Sequence, residues 1–280
     1  MKPQWFILVF FCCVAFMHIG RAQNGTLSMG SAQTMALGST GVAYAGPHSI
    51  WRNQAGLASL KGPTLIAMGE QRFLISEIRS IAAGAAIPTA SGTFGLSVDY
   101  FGFDAFNQQQ IGLAYGRKLL DQLSIGARFL YMNTRIPEYG QRGHLTFEVS
   151  VMAQLLPQLQ IGAQIHNPLN LEVTENEVLP TIFALGLAWQ PSEKLLISGE
   201  VEKDIDFPAR GKVGINYLLI EAFSLRFGIG SNPSLVSFGV GYQFDNGLSL
   251  NIATSYHQFL GFTPGFDATY RIVKQEKQKR

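Results

Sequence analysis

The sequence predicts an all-β protein: a fourteen-stranded antiparallel transmembrane β-barrel whose lumen receives an N-terminal plug segment. Three observations carry that expectation. From about Lys61 to Ile272, short runs alternate apolar with small or polar residues, the period-2 signature of a strand with one greasy and one polar face. Beyond the first residues, no apolar run is long enough to cross a bilayer as a helix. Charged residues make up only 14% of the chain. A soluble β-sandwich or barrel would also alternate, but its outward face would be rich in charge, so the lipid-facing reading is preferred.

Taken in order, residues 1–22 read as a cleaved secretory signal. Lys2 opens a short positive region, Phe6 to Phe16 form an apolar core too short to span, and Gly20-Arg-Ala22 fits a small-x-small cleavage site. Cys12 and Cys13 fall inside that apolar core without the small residues that lipidation needs before a Cys. Their removal leaves a mature chain without cysteine, which excludes disulfides, thiol catalysis and cysteine metal sites. It also leaves 21 minus 2, or 19, basic residues against 19 acidic ones. With no basic patch interleaved with aromatics, a nucleic-acid partner is not expected.

Residues 23–60 do not alternate and are Gly- and Ala-rich. They suit a plug packed against lumen-facing Gly and Ser, with a movable gate as the sharper alternative. Fourteen strands follow at 62–72, 77–88, 92–102, 108–118, 122–134, 143–156, 158–167, 179–190, 193–203, 209–219, 222–231, 234–244, 247–257 and 264–274. An even count puts both chain ends on one side, the periplasm. Connections after even strands are tight (Pro88–Gly92, Leu119–Asp121, Pro157, Pro191-Ser192, Ile220-Glu221, Asp245-Asn246). Those after odd strands run longer, as in Thr134–Gly143, Asn167–Val178, Asp204–Pro208 and Gln258–Thr263, with Ser231-Asn-Pro233 the exception. The barrel is bounded at 61–274, and 275–280 is a basic periplasmic tail.

The stretch Gly38-Ser-Thr-Gly-Val-Ala-Tyr-Ala-Gly46, followed by Trp51-Arg-Asn-Gln-Ala-Gly-Leu-Ala58, resembles the N-terminal signature of the FadL/PorV-like superfamily of outer-membrane barrels. That signature reads Gly-x-x-Gly-x-Ala and then Asn-Pro-Ala-Gly-Leu-Ala, so Gln54 stands here for the usual Pro. The signature positions are Gly38, Gly41, Gly46, Trp51, Asn53, Ala55, Gly56 and Leu57. The resemblance implies a fourteen-strand barrel with its N-terminus in the lumen. It also implies one of two roles, since the family holds long-chain fatty-acid transporters and PorV- and PorQ-type accessory barrels of the type IX secretion system.

By parity, Asp99, Arg128, Glu148, Glu200, Glu202, Lys212, Arg226, Asp267 and Arg271 face the lumen. Mixed signs argue against the single-sign ring of an ion-selective pore. They favour buried pairs tying opposite walls together, with a polar permeation path as the alternative. Aromatics at strand ends (Tyr100, Phe101, Phe103, Phe106, Trp189, Phe259, Phe262, Phe266, Tyr270) suit interfacial girdles, although Phe101 and Phe103 have the opposite parity from Tyr100. His48, His144, His166 and His257 lack metal-ligand spacing, and Ser255 with His257 has no third partner, so neither an enzyme nor a cofactor is expected. The Asn24-Gly-Thr26 sequon is expected to be silent in a bacterial chain.

The expected partners are outer-membrane lipid and a protein partner. Short, apolar-poor loops favour a structural or accessory subunit of a larger envelope secretion or assembly complex. The alternative is a passive transporter, with a hydrophobic small molecule as its cargo, which requires a greasy concave site that the loops do not supply.

Overall fold

The computed structural model describes residues 30–138, 140–169, 172–174 and 177–272. The expected signal peptide, the first residues of the plug segment, the sequon and the basic tail lie outside the described residues.

Fourteen antiparallel strands close into a barrel. They are β1 Thr64–Gln71, β2 Arg79–Thr89, β3 Gly92–Phe103, β4 Phe106–Leu120, β5 Leu123–Ile136, β6 Gly140–Leu156 and β7 Leu159–His166, then β8 Ile182–Ser192, β9 Leu195–Asp204, β10 Arg210–Ile220, β11 Phe223–Gly230, β12 Leu235–Gln243, β13 Leu248–His257 and β14 Gly261–Arg271. Each pairs with its sequence neighbours, and β1 pairs with β14 to close the ring. Closure matters because an open edge in lipid would leave backbone groups without partners. The ladder irregularities fall at tight turns, as between Lys118 and Leu120 or Gln154 and Leu156. Mid-wall pairing is continuous.

Alternation is what the burial shows. Along β3, Thr93, Gly95, Ser97 and Asp99 are buried while Phe94, Leu96 and Val98 are exposed. The greasy face therefore points outward, as a lipid-facing wall requires. No described helix is long and apolar enough to cross a membrane. One element was not anticipated: inside the loop after β7, Glu172–Thr174 and Glu177–Val178 pair as a small separate hairpin. The first strand begins at Thr64 rather than 62, because Pro63 cannot donate to a ladder.

The described part of the plug segment is a five-residue helix, α1 (Ala32–Ala36), and two 3-10 turns at Pro47–Ile50 and Gln54–Ser59. Ser31 caps α1 by accepting from the Thr34 N–H at 3.2 Å, and Asn53 caps the second 3-10 turn through Ala55 N–H at 3.1 Å. Leu37, Leu57, Asn53 and Gln54 are each 0% exposed, so this segment is the molecule's core, with the barrel wrapped around it.

Candidate functional site

Small residues line the wall where the plug comes closest. A side chain at Gly162 would collide with the Val42 carbonyl, at Gly228 with the Gly38 amide, at Gly116 with the Gln54 carbonyl, and at Gly126 with the Ala55 amide. The abundance of glycine thus reflects backbone-to-backbone approach as well as strand twist. Gly38 is itself obligatory: its φ is +67°, and a Cβ there would sit 2.7 Å from the Ile229 carbonyl oxygen.

Apolar contacts fill the gaps between polar ones. Ile50, Trp51 and Leu57 pack on Ile66, Met68, Ala82, Ala86 and Ala114 of β1, β2 and β4. Leu37, Val42, Ala43 and Tyr44 pack on Ala188 of β8, and Ala32, Met35 and Ala36 on Ala253 of β13.

Eight of the nine lumen-parity charges join three polar stations, and each station grips the plug. In the first, Arg128 of β5 lies 3.3 Å from Asp99 of β3 and 3.8 Å from Glu148 of β6. The plug enters through Trp51, whose Nε1–H donates to Asp99 at 2.6 Å, and through Gln54, whose Nε2–H donates to Glu148 at 2.7 Å. His166 lies 2.9 Å from the same carboxylate. In the second station, Lys212 of β10 pairs with Glu200 at 2.9 Å and Glu202 at 2.6 Å on β9, with Arg210 3.3 Å from Glu202. Here the plug contributes the Gly41 and Val42 amides, donating to Glu200 at 2.8 and 3.1 Å, and Arg52, 3.7 Å from Glu200. In the third, Arg226 of β11 donates to Asn216 at 2.9 Å and Asn251 at 2.7 Å, and Asn251 donates to Asp267 of β14 at 2.6 Å. Asp267 in turn accepts the Gln33 N–H of α1 at 3.0 Å.

These partners correct the expectation that opposite walls are tied together. Arg128 stands opposite Glu148, and Lys212 opposite Glu200, on adjacent strands. Two inward glycines let an arginine reach one strand further: Gly112 leaves room for Arg128 to reach Asp99, and Gly241 for Arg226 to reach Asn251. What the charges share is the plug between them. Arg271, at the end of β14, is exposed and belongs to none of the stations.

Of the plug-signature residues, Gly38 and Gly41 bring backbone to the wall. At Gly46 an added Cβ would meet the His48 ring at 2.7 Å, and at Gly56 the Ser49 hydroxyl at 2.5 Å. Trp51 and Asn53 hydrogen-bond to Asp99 and to the Val151 carbonyl, Ala55 N–H donates to Ser150 at 3.1 Å, and Leu57 packs. Arg52 and Gln54 are not among the signature positions, yet both bind the wall's charges. Gln54 stands where the resemblance places Pro, and its side chain makes contacts to Glu148 and Ser150 that a proline cannot. That departure was the available signal.

His48 sits under Tyr44 (ring centroids 4.5 Å apart), with Nε2 3.1 Å from the Tyr44 carbonyl. Burial pulls the pKa of His48 down to about 4 and keeps the ring neutral. Burial likewise raises the Tyr44 phenol. Among the described residues, no His, Cys, Asp and Glu group has a metal-holding arrangement. Phe101 turns into the lumen under Arg72 (5.8 Å) and against Phe106 (6.4 Å), so it is not a girdle residue.

A closed fourteen-strand barrel with a polar-latched segment in its lumen defines a class, the plugged outer-membrane barrel. No family model and no curated protein matches this chain. Among solved structures, the toluene transporter TbuX of Ralstonia pickettii matches with TM-score 0.70 at 12% identity, covering 89% of this chain and 100% of that one. The toluene transporter TodX of Pseudomonas putida matches at 0.69 and 12%, covering 89% and 98%. A FadL homologue from Pseudomonas aeruginosa matches at 0.65 and 11%, covering 87% and 98%. At such identities the likeness is one of fold: the chain has the FadL-like barrel fold, and two of these neighbours are described as toluene transporters.

Proposed function

We propose that this chain is a passive outer-membrane channel for small hydrophobic molecules, with both chain ends in the periplasm and the latched plug as its moving part. The observation that carries this reading is the plug itself, held inside the barrel by three polar stations rather than by a continuous apolar seam. A seam of that kind is selective in geometry yet reversible, since polar contacts exchanged for water cost little net free energy. Support for the cargo class comes from the solved neighbours, two described as toluene transporters. The expectation of an accessory subunit draws no support from those neighbours.

The lumen face of β4 to β7 carries Gln108, Gln110, Thr134 and His166, a poor surface for an apolar solute. Affinity must then come from the apolar sides of the plug, Ile50 with Leu57 and Leu37 with Val42, as they part from the wall. The test is uptake by proteoliposomes holding the purified chain. Entry of a monoaromatic hydrocarbon well above protein-free vesicles, with no swelling in a sugar, is the expected result. Equal hydrocarbon entry with and without protein contradicts the reading.

A further inference from the structure

A groove of about 360 Å³ lies on the wall at β3 to β6, lined by Val98, Tyr100, Gln109, Ile111, Tyr131, Asn133 and Gln141 together with Asp99 and Gln110. The first seven have outward parity. Register sets them in rows: Val98, Ile111, Tyr131 and Leu145 form one row across the four strands, and Tyr100, Gln109, Asn133 and Gly143 the next. Beyond these, Arg135 and Gln141 form a third, in register with the buried Asn107. The surface thus changes within three rows from aliphatic, through tyrosine and amide, to a guanidinium.

Outward amides without protein partners do not sit in hydrocarbon. Among the described residues, Asn133, Gln141 and the Tyr100 and Tyr131 hydroxyls form no hydrogen bond, and Arg135 has no ion pair. Strands β4, β5 and β6 are also long, at 15, 14 and 17 residues, so their ends reach past the apolar band to the level of lipid headgroups. Gly143 lets this surface form: a Cβ there would strike the Tyr131 ring. By contrast Lys203, an outward cation on β9, is already bound to the Ile205 and Phe207 carbonyls.

The geometry points to a binding site for a phosphorylated glycolipid of the outer leaflet. Its acyl chain lies along Val98, Ile111 and Leu145, its sugar hydroxyls meet Gln109, Asn133 and Gln141, and its phosphate meets Arg135. Arginine forks match phosphate oxygens, basic groups at the membrane surface select anionic headgroups, and tyrosines suit the boundary between tail and head. This site goes beyond transport and rests only on the part of that reading that puts the ends of these strands at the outer surface.

Native mass spectrometry of the full chain in detergent tests it, with a bisphosphorylated acylated disaccharide lipid and phosphatidylglycerol as competing probes. One glycolipid retained in preference to phosphatidylglycerol is expected. Arg135→Gln should lower that retention roughly tenfold, the scale of one lost charge-assisted contact, and Asn133→Leu with Gln141→Leu should lower it too, while Lys203→Gln leaves it unchanged. A folded-barrel gel shift checks that each variant is intact. Equal retention of both lipids, or full retention by intact Arg135→Gln and Asn133→Leu/Gln141→Leu chains, overturns the proposal. Lumenal flux plays no part in this readout, so its outcome is separate from that of the transport experiment.

Discussion

The two faces of the wall are made from the same strands, yet opposite rules govern them. Outward, β8 shows Phe183, Leu185, Leu187 and Trp189, all exposed and uncharged. Inward, its neighbour β9 shows Ser198, Glu200 and Asp204, buried and hydrogen-bonded. Within its apolar band the outer face asks only for bulk and tolerates exchange among Leu, Ile, Val and Phe. The inner face is specified residue by residue, because each of the three stations ties its charges to named groups of the plug. Selectivity of structure therefore lies inside, and stability in lipid lies outside.

The sharpest way to break that contrast is to orphan an inner charge. Lys212→Met takes from Glu200 and Glu202 the cation they share, leaving only Arg52 and Arg210 beside them, and breaking a buried pair costs up to about 3–5 kcal/mol. The cost should fall on the plug, read as faster proteolysis of residues 30–60 while the barrel stays folded. Placing a charge outside is the next test: Leu185→Arg, near the middle of β8, should destabilise the barrel by about 2–4 kcal/mol in urea-driven unfolding from vesicles. Leu185→Ile should be nearly neutral there.

Gln54→Ala removes an uncharged latch contact to Glu148 and Ser150 and should loosen the plug by roughly 1–3 kcal/mol, measured by hydrogen exchange at residues 50–57. The smallest effect is one of pH. His48 holds off a proton in the latched plug until about pH 4, whereas a released segment takes one near its ordinary value of about 6.5. Acidification from pH 7 should therefore favour release progressively between those two values and add nothing below the lower one. Plug protease sensitivity should rise on the order of tenfold by pH 5, and His48→Gln should flatten the profile.

Much of this architecture was legible because a strand's period is two. Alternation at 123–131 or 236–242 assigns faces without knowledge of the fold, and strand number and inward parity followed from it. Parity does not name a partner, however. Arg128 and Glu148 share a face in sequence, but only register puts them opposite each other, and only the plug's path brings Trp51 and Gln54 to them. Arg271 shows the other gap: it has lumen parity, yet it ends its strand where, among the described residues, no plug group binds it. The hairpin at 172–178 was missed because its strands are two and three residues long, too short to alternate.

In a channel of the kind proposed, solute passes only when the plug leaves its latched position. Thr40 on the plug and Ser198 on β9 place their hydroxyl oxygens 2.7 Å apart, which makes them the positions to replace by a cysteine pair. In the chain lacking its expected signal, Thr40→Cys/Ser198→Cys gives the two required thiols. Hydrocarbon flux through this variant in proteoliposomes should stop on oxidation and return on reduction. Flux unchanged by an oxidised bridge would contradict the account.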